Sequence, residues 1–258
     1  MQPLVDSHTH LDLEAFDADR PAVLARAAAA GVCHMVVPST DRESWPRVRE
    51  LCDGHSGIHP AYGLHPLFMD RHRPEHLDQL GEWLGGHPAV AVGEIGLDYH
   101  QAAADRTRQL HFFETQLRLA RELDLPVIVH ARQALEEVSQ ALRRCAGVRG
   151  VVHSFSGSEQ QAGKLWDLGF HLGIGGPVTY ERAQRLRRIV ARMPIGFLLL
   201  ESDAPDQPDA AHRGQRNEPA RIIEVLRCVA ALRGESEQHV AQATTANARR
   251  LFGLDRTP

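Results

Sequence analysis

Short apolar runs recur along the chain, each followed by a stretch of helical periodicity. The runs are Leu4 to His10, Val32 to Thr40, Ile58 to His65, Ala89 to Glu94, Pro126 to His130, Arg149 to His153, Phe170 to Gly176 and Phe197 to Asp203. They are largely continuous rather than alternating, which marks strands buried on both faces, as in a parallel sheet covered by helices. Between them, Pro21 to Ala30 is Ala-rich and stops at Gly31, and Leu110, Phe113, Leu117 and Ala120 form an apolar stripe with Asp105 as N-cap. Arg221 to Arg233 stops at Gly234, and Glu235 to Leu251 reads as a final helix. Eight such units predict an α/β fold, a (β/α)8 barrel, which usually takes about 250 residues and carries catalytic groups at the C-terminal ends of its strands. A single barrel domain over residues 1–258 accounts for the sequence.

Five of the runs stop on metal-binding residue types: His8 and His10, Glu94, His130, His153 and Asp203. One His-x-His among 16 histidines carries little weight. The set carries more, because strand side chains alternate with period two, so His8 and His10 point the same way, and all six residues fall at one end of a barrel. Buried structural histidines are the bland alternative for His130 and His153, and the company of the other four disfavours it. The single lysine, Lys164, lies in a helix pattern before strand seven and faces the wrong end to serve, carboxylated, as a bridge. Glu94, at the end of strand four, is the candidate for that role. The expected centre holds two divalent ions: one on His8, His10 and Asp203, one on His130 and His153, with Glu94 shared and a water or hydroxide completing the bridge. The donors suit zinc, manganese or magnesium, and Asp203 is placed to act as general base.

Neighbours of the set extend the chemistry. His65, set between Gly63 and Pro66, can contact a phosphate or protonate a leaving oxygen. Arg132 lies two residues past His130 and, if the strand continues, points into the same mouth, where a guanidinium grips phosphate; an ordinary salt bridge is its equal alternative. Asp6 and Glu201 either orient imidazoles from behind or simply fill the barrel with polar groups. The longest irregular stretches, Pro66 to Pro74 and Ala204 to Asn217, follow strands and so hang over the mouth, where Arg71, Arg73, Arg213 and Arg216 make a plausible cationic rim. Arg182, Arg185, Arg187 and Arg188 cluster after strand seven, by default as a solvated helix face.

Composition agrees with a globular enzyme: 43% hydrophobic and 24% charged residues suffice for a large core. The start Met-Gln-Pro-Leu-Val-Asp has no basic or apolar leader, and no run is long enough to span a membrane, so the cytoplasm is the expected compartment. Cys33, Cys52, Cys145 and Cys228 are far apart and read as small buried hydrophobes. No feature calls for an obligate protein partner. The formal net charge of −4 disfavours coating of duplex DNA and favours a few phosphate contacts, as in trimming a single strand.

The motifs Asp6-Ser7-His8-Thr9-His10, Gly63-Leu64-His65-Pro66, Gly93-Glu94-Ile95-Gly96-Leu97-Asp98-Tyr99, His153-Ser154-Phe155-Ser156-Gly157 and Glu201-Ser202-Asp203-Ala204-Pro205 stand in that order. In them the chain, from Asp6 to about Leu254, resembles the TatD-related DNase family of metal-dependent hydrolases. The resemblance implies a (β/α)8 barrel, divalent metal dependence, the ligand set reached above, and hydrolysis of phosphodiester bonds in DNA, often from the 3′ end; with the net charge, single strands or ends are the expected DNA substrate. Ser202 stands where the family more often has threonine, and strand phase turns it away from Asp203. Removal of D-amino acids from tRNA is another activity of the family. A small-molecule amidohydrolase, lactonase or phosphotriesterase on the same metal centre is a further reading, and a non-catalytic barrel is disfavoured by the complete donor set.

Overall fold

The computed structural model describes residues 3–101 and 104–254, so the expected domain bounds, 1 and 258, lie outside the described residues. Eight parallel strands follow one another in sequence order around a nearly closed barrel. They are β1 (Leu4–Asp6), β2 (Val32–Pro38), β3 (Ile58–Tyr62), β4 (Ala91–Asp98), β5 (Val127–Arg132), β6 (Gly150–Val152), β7 (His171–Ile174) and β8 (Leu198–Leu200). The surrounding helices are α1 (Arg20–Ala29), α2 (Trp45–Asp53), α3 (Glu75–Gly86), α4 (Arg106–Glu122), α5 (Leu135–Arg144), α6 (Glu159–Asp167), α7 (Gln184–Arg192), α8 (Ile222–Arg233) and α9 (Glu237–Phe252). Between β8 and β1 the ring is drawn together just past the strand ends: Ser7 N donates to Leu200 O at 3.0 Å and Asp203 N to His8 O at 2.9 Å.

The core has two layers. Val5, Val36, Ala61, Ala91, Ile128, Val151 and Leu199, one from nearly every strand, fill the barrel interior, and Ala248, Leu251 and Phe252 of α9 join them. Asn247 of α9 donates to the carbonyls of Ile195 and Leu198, which ties the helix to the end where strands begin and stoppers the barrel there. The other strand faces pack against the helices, as continuous apolar runs require. Gly234, at φ 65°, ends α8 in the left-handed conformation that glycine adopts without strain.

Four local expectations change. β4 does not stop at Glu94; it pairs with β5 from Ile95↔Val129 to Asp98↔Arg132, so Glu94 sits mid-strand, within a register irregularity between Val92 and Ile95. The backbones come closest at Gly96, where a Cβ would lie 2.1 Å from His130 O. The buried face of α4 includes Gln109 and Gln116 beside Phe112, Phe113, Leu117 and Ala120, while Leu110 is only partly covered. These amides are tolerated inside because they satisfy backbone: Gln116 accepts from Leu64 N and Gln109 from Asp98 N, each at 2.8 Å. Of the four free cysteines only Cys145 is buried; Cys33, the second residue of β2, is exposed, and Cys52 and Cys228 are partly buried. The arginine cluster also divides: Arg182 precedes α7, and Arg187 folds inward to donate to Val178 O. Among the described residues no helix is long and apolar enough to cross a membrane.

Candidate metal centre

At the C-terminal end of the barrel the chain places His8 and His10 past β1, Glu94 in β4, His130 in β5, His153 past β6 and Asp203 past β8. All six are largely shielded from solvent, and they converge on Glu94. Glu94 Oε1 lies 2.8 Å from His153 Nε2, 2.9 Å from His130 Nδ1 and 2.8 Å from His65 Nε2. Glu94 Oε2 turns the other way, 3.2 Å from His8 Nε2 and 3.6 Å from His10 Nε2. Asp203 Oδ1 stands on that second side, 3.5 Å from His8 Nε2 and 3.8 Å from His10 Nε2. Its Oδ2 accepts a hydrogen bond from the Gln207 amide, which also donates to Ser154 Oγ at 2.8 Å.

Hydrogen bonds behind the imidazoles assign their tautomers. Leu67 N donates to His65 Nδ1 at 3.0 Å, so the hydrogen of neutral His65 is on Nε2 and is directed at Glu94. His65 is thereby set up as a donor, although its position beside Glu94 and His130 would otherwise allow a metal. His130 is the reverse case. Its Nε2 donates to Asp98 Oδ2 at 2.9 Å, which turns Nδ1 toward Glu94 Oε1 and, at 3.3 Å, toward His153 Nε2. Two acceptors at such distances repel unless positive charge lies between them. Burial depresses His153, yet Glu94, Asp203 and Glu201 outweigh it and push its pKa up to about 10. Burial alone would raise Glu94, but His153, His65 and His8 hold its carboxyl well below the usual range. Imidazole nitrogens and carboxylate oxygens gathered around Glu94 are a donor set that fits divalent metal.

Sequence similarity is equally direct. A profile of the family described as TatD related DNase matches residues 5–253. The chain belongs to the TatD-related DNase family. It is 41% identical to the metal-dependent hydrolase YjjV of Escherichia coli strain K12, over 97% of this chain and 98% of that protein. The crystal structure of E. coli YjjV, a TatD homologue, superposes with a TM-score of 0.94 at 39% identity, covering 99% and 98% of the two chains. The 3′-5′ ssDNA/RNA exonuclease TatD of Cronobacter sakazakii is 37% identical over 94% of this chain and 95% of its own. The TatD-family barrel is thus that of a metal-dependent hydrolase.

Other sequence-singled residues separate in this frame. Asp6 accepts from Ser202 N at 2.9 Å and Ser202 Oγ at 2.6 Å, fastening β1 to the segment after β8; Ser202 turns away from the centre to do so. Glu201 is different. Its Oε1 accepts from Ser154 N at 2.6 Å and lies 3.9 Å from His153 Nδ1, so it backs that imidazole. Burial, only partly offset by His153, pushes its pKa up to about 8. The expected cationic rim dissolves: Arg71 pairs with Asp41 at 3.1 Å, Arg216 with Asp19 at 2.7 Å, and neither Arg213 nor Arg216 lines the cavity over the centre. These loops fold back onto acids of neighbouring segments. Arg132 does line that cavity of about 520 Å³, exposed and with no ion pair among the described residues. Lys164 pairs with Glu136 at 2.7 Å on the outer helices. Sequence reading passed over Asp98 and Gln207. Asp98 lies four residues after Glu94, the same phase if the strand is continued, whereas Gln207 carries no local signal.

Proposed function

We propose that this chain is a metal-dependent deoxyribonuclease that trims single-stranded DNA from the 3′ end, using two divalent ions. The observation that carries the reading is the division of Glu94, whose two oxygens face two separate imidazole sets. In this reading His8, His10 and Asp203 would hold one ion and His130 and His153 the other, with Glu94 available to both; zinc, manganese and magnesium all suit the donors. Bound there, the ions would supply Lewis acidity toward phosphoryl oxygens and lower the pKa of an attacking water.

The chain's own groups complete the chemistry. Asp203, fixed by Gln207 at Oδ2, accepts the proton of the attacking water at Oδ1, the oxygen on the His8 side. His65, neutral because burial pushes its pKa down to about 4 even against the pull of Glu94, keeps its Nε2 proton and would offer it as a hydrogen bond to a phosphoryl oxygen that reaches the Glu94 side. Arg132, exposed at the mouth, grips the phosphate from outside. DNA as substrate draws support from the exonuclease name of the Cronobacter relative. The net charge of −4 fits a substrate held through few phosphates.

The test is a time course on 5′-labelled single-stranded and duplex DNA, with Mg, Mn or Zn added to metal-stripped protein, beside Asp203→Ala. The expected result is a metal-dependent ladder shortening from the 3′ end, absent in the variant. Intact DNA with every metal would overturn the reading.

A further inference from the structure

The cavity over the metal centre has unlike walls. Arg132, Ser154 and Ser156 contribute polar groups, whereas Leu13, Leu67 and Phe68 are apolar. Among the described residues only two large hydrophobic side chains are exposed, Leu67 at 41% and Leu123 at 38%. Leu123 ends α4 just before β5 begins, at the other end of the barrel. Leu67 stands at the mouth. A single exposed leucine needs no explanation by itself, but one held rigidly beside a reaction centre does.

The segment carrying Leu67 is pinned from several directions. Its own N–H donates to His65 Nδ1, His72 Nε2 lies 2.9 Å from His65 O, and Arg108 donates to His72 O. Arg71 pairs with Asp41 and lays its guanidinium 4.9 Å over the Phe68 ring. Phe68 in turn meets the His65 ring edge-on at 5.7 Å. A fixed apolar wall therefore adjoins His65, whose Nε2 hydrogen is turned toward the centre, and the exposed Arg132 lines the same cavity. Apolar wall beside anion-directed donors is the chemistry of a nucleotide: a flat base joined to a phosphate.

We propose that Leu67 and Phe68, with Leu13, form a subsite for the unpaired base of the strand's terminal nucleotide, a proposal that rests on the nuclease reading above. A base covered by Leu67 has left its stack, which costs least in a single strand, so the wall selects unpaired ends over duplex ends. Apolar burial between the Leu67 side chain and a base is worth about tenfold in affinity.

The test compares two 5′-labelled oligonucleotides alike except at the 3′ terminus, where one carries an ordinary base and the other an abasic residue with the same phosphate. Wild type is expected to cleave the ordinary strand with about tenfold higher kcat/KM. Leu67→Ser should lose that advantage mainly through KM, while Leu67→Met retains it. As a readout independent of turnover, a terminal 2-aminopurine should brighten on binding to Asp203→Ala protein as its base unstacks, and bind about tenfold more weakly when Leu67→Ser is added. Equal cleavage of both strands, or a base preference that survives Leu67→Ser, would overturn the subsite and leave the nuclease reading standing. Cleavage of neither strand with any metal would overturn both.

Discussion

Replacing Asp98 with alanine isolates one side of the centre. Asp98 Oδ2 takes the hydrogen of His130 Nε2 at 2.9 Å, and Oδ1 accepts from His100 N at 2.9 Å. The backbone of Asp98 is held separately by Gln109, through Asp98 N at 2.8 Å and Asp98 O at 3.0 Å, so the strand survives loss of the carboxylate. The variant leaves a shielded imidazole N–H unpaired, a cost of about 1–3 kcal/mol, and removes the charge that raises the basicity of Nδ1. Loss of such a carboxylate typically weakens metal binding about 10–100-fold, or about 1.4–2.7 kcal/mol. In the proposed two-ion centre only the ion on the His130 and His153 side should feel it directly. Calorimetric titration of metal-stripped protein with zinc or manganese should therefore show one step weakened by that factor and the other nearly unchanged, with Tm lowered by several degrees. Equal weakening of both steps, or of neither, would refute the argument that Asp98 sets the His130 tautomer for a distinct ion.

Glu94→Ala should abolish both metal-binding steps in the same titration, whereas His153→Ala should weaken one preferentially; equal metal content in the two variants would sink the shared-carboxylate assignment. Gly173→Ala should destabilise the fold by about 1–3 kcal/mol in urea melts, because the new Cβ would lie 2.0 Å from Glu201 Oε2; an unchanged midpoint would show that Glu201 moves freely. The His34 and His59 imidazoles meet at 2.9 Å near the barrel's other end, and burial, with His34 adding to it, lowers the pKa of His59 from 6.5 to about 4. The unfolded chain then binds more protons than the native one between these values, so this contribution to stability is complete above about pH 6.5 and lost as pH falls toward 4. Denaturant midpoints of wild type should drop across that window more than those of His59→Gln, and parallel curves would contradict the assignment.

What the strand-like runs determined was the barrel and the six convergent residues. A continuous apolar run signals a strand covered on both faces, and alternation of strands with helices leaves few topologies, so Glu94, His130 and Asp203 could be placed at one end without coordinates. Glu94 was nevertheless put at a strand end, because the pairing that carries β4 on to Asp98 belongs to β5, not to local sequence. The tautomers of His65 and His130 likewise depend on Leu67 and Asp98, and only folding shows which ring nitrogen each partner reaches. Arg216 could not be known to bind Asp19, 197 positions away, nor Leu67 to stand exposed on a pinned loop. Periodicity and chain order are local properties written in the sequence, whereas hydrogen-bond direction and the pairing of loop charges depend on groups that meet only when distant segments fold against one another.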